Sequence, residues 1–260
     1  MRAREWTAAL AAGLVCALLA PGCFAVANLD RFEIEPPACT GNATITRDYH
    51  WNVSEIVPHV RELFEMKVVD TSSQRVVAAI VYDPIPDVTP ATLEGTLRDA
   101  LPPGSYVARF WGDHSHDRLF EPSPADHAWI QPVPENGCFS FVHAGPFDAD
   151  ISPIDHPMKG NLSVRLTSVG AFAGKPLIFH ASDQSEAQVG YYRLGALPTD
   201  VSTAPDLTLF DLAVLDTTYT IDAFVDLDGD GLESAGDPVF APPPQGATLS
   251  TVFELDLGPP

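Results

Sequence analysis

Twelve consecutive residues carry the densest chemistry in this chain: Asp226-Leu227-Asp228-Gly229-Asp230-Gly231-Leu232-Glu233-Ser234-Ala235-Gly236-Asp237. Asp226, Asp228, Asp230 and Asp237 stand at positions 1, 3, 5 and 12 of the run, with Gly231 at position 6. Calcium is a hard cation that takes about 6–8 oxygen ligands at roughly 2.3–2.6 Å. Alternating aspartates on a tightly curved chain can turn inward together and supply several of them. Gly231 provides the positive φ that the sharp turn requires. Leu232 would add its carbonyl oxygen, Ser234 would reach the ion directly or through water, and Asp237 would close the shell. Without a cation, four carboxylates crowded this closely repel one another. The plainer reading is an Asp/Gly turn that holds no metal.

The spacing matches the EF-hand loop pattern, with two departures. Position 12 is Asp, one methylene shorter than the usual Glu, and the flanks read as a strand before Asp226 and Pro238 after Asp237. The loop therefore resembles the calcium loops of dockerins and extracellular repeats, set here between strands. With no helix pair to open, the resemblance implies a structural Ca2+ ion rather than a trigger.

A second group of candidates lies earlier in the chain. His114, His116 and, after Asp126, His127 could hold zinc or copper, since His-x-His with a third imidazole is a ligand set for either metal. A zinc-dependent enzyme at these residues is one alternative, and solvated loop histidines are the plainer one. Phe110, Trp111, Phe120 and Trp129 gather around the same loop. They could form an aromatic platform for a glycan, although such residues near strand ends more often fill a core. The chain holds no Gly-x-Ser-x-Gly elbow, no His-Glu-x-x-His and no Cys-x-x-Cys. Phosphate-binding and dinucleotide glycine motifs are missing as well, so the expectation is a protein that is not an enzyme.

Period-two runs bounded by Pro, Gly, Asp and Asn must position these residues. They cover 63–69, 75–82, 105–111, 128–131 and 138–142, then 162–167, 176–181, 189–194, 208–215, 218–225 and 248–255. Residues 89–100, after Asp87 and around Pro90, read as the one short helix. Residues 105–113 align with 218–226 at a shift of 113, and Leu119 then meets Leu232. In the earlier copy Asp113, Ser115 and Asp117 keep the first three ligand positions, but Arg118 replaces the glycine, so this loop is expected to have lost calcium. The repeat predicts an all-β chain of two tandem β-sandwich domains. A Tyr-bearing strand running into an acidic loop resembles the transthyretin-like modules of carboxypeptidase regulatory domains and related secreted bacterial proteins. That resemblance implies sandwiches used for stability, spacing or binding.

The N-terminus reads as an export address. Arg2 and Arg4 precede an uncharged run over 6–20, which Pro21 and Gly22 end. Such a segment is a secretory signal peptide, too short for a comfortable membrane span. Cleavage after Ala25-Val26-Ala27 would leave Asn28 first. Alternatively, Leu19-Ala20-Pro21-Gly22-Cys23 resembles a bacterial lipobox, which would lipidate Cys23, and the residues after Asn28 resemble a lipoprotein tether. The domain map is therefore 1–27 (or 1–22) signal peptide, 28–55 tether and lead-in, 56–146 first domain, 147–160 linker, and 161–258 second domain with the loop at 226–237. Cys39 and Cys138 remain as an even pair for a disulfide in an oxidising compartment.

Net charge is −21, with 14 acidic and three basic residues from Asn161 onward. That opposes nucleic acid and anionic lipid and favours cations at the C-terminal half. Contact with a membrane would then come only through a lipid on Cys23. The expected location is the bacterial outer membrane, the periplasm or the exterior, with an envelope protein or glycan as the candidate partner.

Overall fold

The computed structural model of the chain describes residues 46–88, 91–122, 124–143, 159–204, 206–248 and 250–258. The export segment, Cys23, Cys39 and residues 147–158 of the expected linker lie outside them. Among the described residues the fold is nearly all β, and no helix there is long and apolar enough to cross a membrane.

The first module runs β1 (Arg47–Ser54), β2 (Phe64–Asp70), β3 (Val76–Asp83), β4 (Leu93–Leu101), β5 (Tyr106–Gly112), β6 (His127–Val133) and β7 (Cys138–Val142). The second runs β8 (Lys159–Thr167), β9 (Leu177–Asp183), β10 (Gln188–Leu194), β11 (Leu207–Val214), β12 (Thr218–Val225), β13 (Val239–Phe240), β14 (Gln245–Gly246) and β15 (Ser250–Asp256). Each module builds a three-stranded sheet of the same topology, β4-β1-β7 and β11-β8-β15. In both, the last strand pairs parallel with the first.

The remaining strands form a single sheet of nine, in the order β13-β12-β9-β10-β3-β2-β5-β6, with β14 also on β12. Its halves repeat one order, β3-β2-β5-β6 against β10-β9-β12-β13. They meet where the equivalent strands β3 and β10 pair parallel, Ala79 opposite Gly190 through Asp83 opposite Leu194. The two tandem modules read from the sequence thus share one central sheet. The three-stranded sheets cover opposite faces of it. Ala78, Ile80 and Tyr82 point into the core under β4-β1-β7, while Ala79 and Val81 point into the core under β11-β8-β15. At the seam β4 packs against β10 and β11 against β3. Both faces of β3 and β10 are therefore covered, and both strands are buried along most of their length. This is why they read as nearly continuous apolar runs rather than as alternation.

Side-chain polar groups reinforce the seam. Lys67 of β2 donates to Asp211 Oδ2 of β11 at 2.8 Å and lies 3.4 Å from Glu65. Burial works against the Lys67 ammonium, but Glu65 and Asp211 more than offset it and hold its pKa above the usual lysine value. Asp83, at the end of β3, accepts from the Tyr192 hydroxyl of β10 and from the Arg118 guanidinium, each at 2.8 Å.

Four strands differ from the sequence reading: the short β13 and β14 were not among its runs, and β4 and β1 were read otherwise. The described part of the expected helix over 89–100 is not helical: 93–101 form β4, antiparallel to β1. Leu93, Leu97, Ala100 and Leu101 are all buried, a helix-like spacing that a strand achieves here because a bulge at Asp99, φ 52°, sets the four-residue step from Leu97 to Leu101 opposite the two-residue step from Tyr49 to Arg47 and buries Ala100 beside Leu101. Asp211 repeats this bulge in β11 at φ 60°. β1 falls in the segment read as a lead-in, where Tyr49, Trp51 and Val53 alternate into the core.

Candidate functional site

The acidic loop leaves the sheet at the end of β12. Val225 is held by its amide on the Pro238 carbonyl at 3.0 Å, and Asp226 by its amide on the Pro176 carbonyl at 3.1 Å. Both ends of the loop are thus tied to strands. Asp226 is fully buried, and its carboxylate is the pivot of the turn. Oδ1 accepts from the Gly229 amide at 2.6 Å and Oδ2 from the Gly231 amide at 3.0 Å. Gly229 and Gly231 both take φ +83°, the left-handed conformation that glycine adopts without steric cost.

Asp226, Asp228 and Asp230 each bring one carboxylate oxygen within 4.8 Å of the others. Three of the six expected ligands therefore converge. Ser234 and Asp237 instead brace each other: Asp237 Oδ2 accepts from the Ser234 amide and hydroxyl, and Oδ1 from the Leu227 amide at 2.9 Å. Burial pushes the Asp237 pKa up, but these hydrogen bonds together outweigh it and hold the pKa below the usual carboxylate value. The Leu232 amide is capped by Asp230 at 2.8 Å. Lys175 donates to the Leu227 carbonyl at 2.7 Å and anchors the outer side of the loop. Oxygen donors on a glycine-rich curve suit a hard cation, and the three convergent carboxylates concentrate the negative charge that would attract one.

The matching loop after β5 keeps the scaffold with different chemistry. Asp113 is buried like Asp226 and accepts from the Asp117 and Arg118 amides. Arg118 takes φ 65° where Gly231 takes +83°. Its guanidinium turns onto Asp83 and so belongs to the seam. Asp126 is fully buried and accepts from the Ser115 and Glu121 amides, a bracing role like that of Asp237.

Of the three histidines proposed from sequence, the structure joins two. His114 stacks on His127 with ring centroids 5.0 Å apart. His116 is exposed in the loop at φ 61° and is not among their ring or hydrogen-bond contacts. Three further residues enter that the sequence reading missed: His59, Glu62 and His143. His59 is 3 % exposed. Its Nδ1 is 2.6 Å from Glu62 Oε2, while its Nε2 is 3.0 Å from His143 Nε2 and 3.3 Å from His127 Nδ1. Glu62 Oε1 meets His114 Nδ1 at 2.8 Å. Burial tends to raise the Glu62 pKa, but the two imidazoles outweigh it and keep the group ionised. Burial, then the neighbouring His59, pushes the pKa values of His127 and His143 down. His59 ends a 3-10 turn before β2, and His143 follows β7. No local spacing could connect them, because 84 residues separate the two.

The four aromatic residues divide. Phe110 and Trp129 are buried and stacked on each other at 5.5 Å, as part of the core. Trp111 and Phe120 make a partly exposed pair at 5.6 Å, with the Trp111 indole donating to Glu65. The platform imagined from sequence is thus half core.

No family model matches the sequence, and no curated protein does. Among solved structures, the Bacillus anthracis TIE protein aligns with 80 % of this chain at 10 % identity and a TM-score of 0.22. The chain spans about a third of that protein's length, 34 %, and so distant a likeness says nothing about what this chain does.

Proposed function

We propose that the chain is an exported, non-enzymatic calcium-binding protein of the cell envelope or exterior, with a structural or adhesive role. In this reading the ion locks the open end of the second sandwich. The observation that carries it is the convergence of Asp226, Asp228 and Asp230 within 4.8 Å, on a turn whose first carboxylate is buried and whose ends are tied to β12 and β9. A cation there would relieve the repulsion among the three carboxylates and hold the turn after β12 in its curved form. Export, by either cleavage after residue 27 or lipidation of Cys23, and a bridge between Cys39 and Cys138 belong to the same proposal.

The glycan reading has less support, because two of its four aromatic residues are core. Direct calorimetric titration of the purified chain with calcium tests the proposal. Wild type should bind one Ca2+ with a dissociation constant on the order of 10⁻⁴–10⁻³ M, the range of extracellular modules. Asp228→Ala should bind at least tenfold more weakly. A wild type that takes up no calcium at 10 mM would sink the reading.

A further inference from the structure

We propose that His59, His127 and His143 form a site for a divalent transition cation of the zinc or copper class, with Glu62 orienting His59. The site lies on the first module and does not involve the acidic loop.

The two separations that run from His59 to the other imidazoles already have the right scale. Zinc–imidazole bonds of about 2.0–2.1 Å place two ligand nitrogens of a tetrahedral site roughly 3.3 Å apart. His59 Nε2 sits 3.0 Å from His143 Nε2 and 3.3 Å from His127 Nδ1. Glu62 completes the arrangement from behind. Its Oε2 accepts a hydrogen bond from the Nδ1–H of His59 at 2.6 Å, which fixes the tautomer and turns the Nε2 lone pair toward the other two rings. A carboxylate behind a ligating imidazole is the usual outer partner of such sites. Glu62 also lies close to His114, and one atom each of His59, Glu62 and His114 fall within 4.8 Å. Hydrogen bonds of 2.6 and 2.8 Å account for that closeness, so Glu62 is assigned as the orienting group and His114 as its second dependant.

The second module shows that the fold does not need histidines here. Phe172 ends the 3-10 turn before β9 as His59 ends the one before β2, five residues ahead of each strand. Leu257 follows β15 as His143 follows β7: the Leu257 amide bonds the Thr167 carbonyl, and the His143 amide bonds that of Ser54. Pro238 precedes β13 where His127 opens β6, and Lys175 stands where Glu62 does, two residues before its strand. Phe172 packs edge-on against Phe240 at 6.1 Å, as His59 packs against Trp129 at 5.8 Å. One module thus plugs this end with apolar side chains, and the other gathers imidazoles and a carboxylate around a nearly buried His59. With three protein ligands, a four-coordinate ion keeps one position for water or a ligand. A small cleft lined by Val53, Ile56, Phe110 and Phe141 adjoins it.

The test is metal binding by the purified full chain, first stripped with chelator, using Zn2+ in competition with a chromophoric chelator and Co2+ for its visible spectrum. Wild type should bind one Zn2+ per chain and give the intense absorption of tetrahedral cobalt. His59→Phe and His143→Leu import the residues of the second module and should fold, as circular dichroism checks, yet lose the metal. Glu62→Gln should weaken binding 10–100-fold. Asp228→Ala with Asp230→Ala should leave zinc binding unchanged, which separates this site from the calcium loop. Stoichiometric zinc that survives both histidine variants would overturn the assignment. So would a wild type that binds no more zinc than His143→Leu, since the cluster would then be only a hydrogen-bonded chain of imidazoles.

Discussion

Tyr192→Phe tests whether the two sandwiches unfold as one body. The Tyr192 ring is buried and stacks on Phe179 at 5.3 Å with 10° between planes, so phenylalanine preserves the packing. Only the hydroxyl is lost, and with it a 2.8 Å hydrogen bond to the buried carboxylate of Asp83. Asp83 keeps the Arg118 guanidinium on its other oxygen, so the charge is not stranded. A hydrogen bond to an ionised group contributes about 1.5–3 kcal/mol. For a unit of roughly 200 residues, each kcal/mol moves Tm by about 2–4 °C, which gives a fall of roughly 3–12 °C. The assay is guanidinium unfolding followed by tryptophan fluorescence and far-ultraviolet dichroism. All four tryptophans lie at or before residue 129, so fluorescence reports the first module and dichroism reports both. The two probes should give coincident transitions in wild type and variant, displaced together. Separate transitions, or a fluorescence midpoint unmoved by a substitution in β10, would refute the shared seam.

Further outcomes follow from the same structure. Lys67→Ala leaves Glu65 and Asp211 without their shared cation and should cost about 3 kcal/mol in chemical denaturation, the lower end for an uncompensated buried ion. Removing Asp211 as well should recover part of that loss. Gly190→Ala places a Cβ 2.4 Å from Leu209 Cδ1 and 3.0 Å from the Ala181 Cβ, an overpacking that should cost about 1–3 kcal/mol. His180 keeps some exposed surface but is enclosed by protein on nearly all sides. Desolvation, then the Arg98 charge, pushes its pKa down to about 4. Its folded pKa lies below its unfolded value of 6.5. Its contribution is therefore intact above pH 6.5 and is lost as pH falls toward 4, by up to about 2 kcal/mol at pH 5. His180→Gln should flatten that part of the acid limb, measured as the wild-type-minus-variant difference between pH 7 and pH 5.

Strand content was legible where apolar residues alternate or run together between turn residues, as in 138–142 and 218–225, which match β7 and β12. It was obscured where a bulge breaks the period. The bulge at the left-handed Asp99 makes 93–101 look helical, because its two extra residues bury Ala100 next to Leu101 and break the simple alternation. The acidic loop was legible because its donors are adjacent in the chain and its glycines mark the turn. The imidazole cluster was not, because His59 and His143 meet only when the start of β2 and the end of β7 reach the same end of the sandwich. The seam was equally hidden, since parallel pairing of β3 with β10 joins residues about 110 apart, and no local pattern encodes that register. Only the near-continuous burial of both strands carried a trace of it.

Thermal unfolding of the full chain across a calcium series, from excess chelator to tens of millimolar, tests the proposed function most directly, with Asp228→Ala/Asp230→Ala run beside it. Calcium at 100 times its dissociation constant should stabilise wild type by about 2.7 kcal/mol and leave the double variant unmoved. A wild type whose Tm ignores calcium, or a double variant that responds equally, would mean that the acidic loop is a turn and not a metal site.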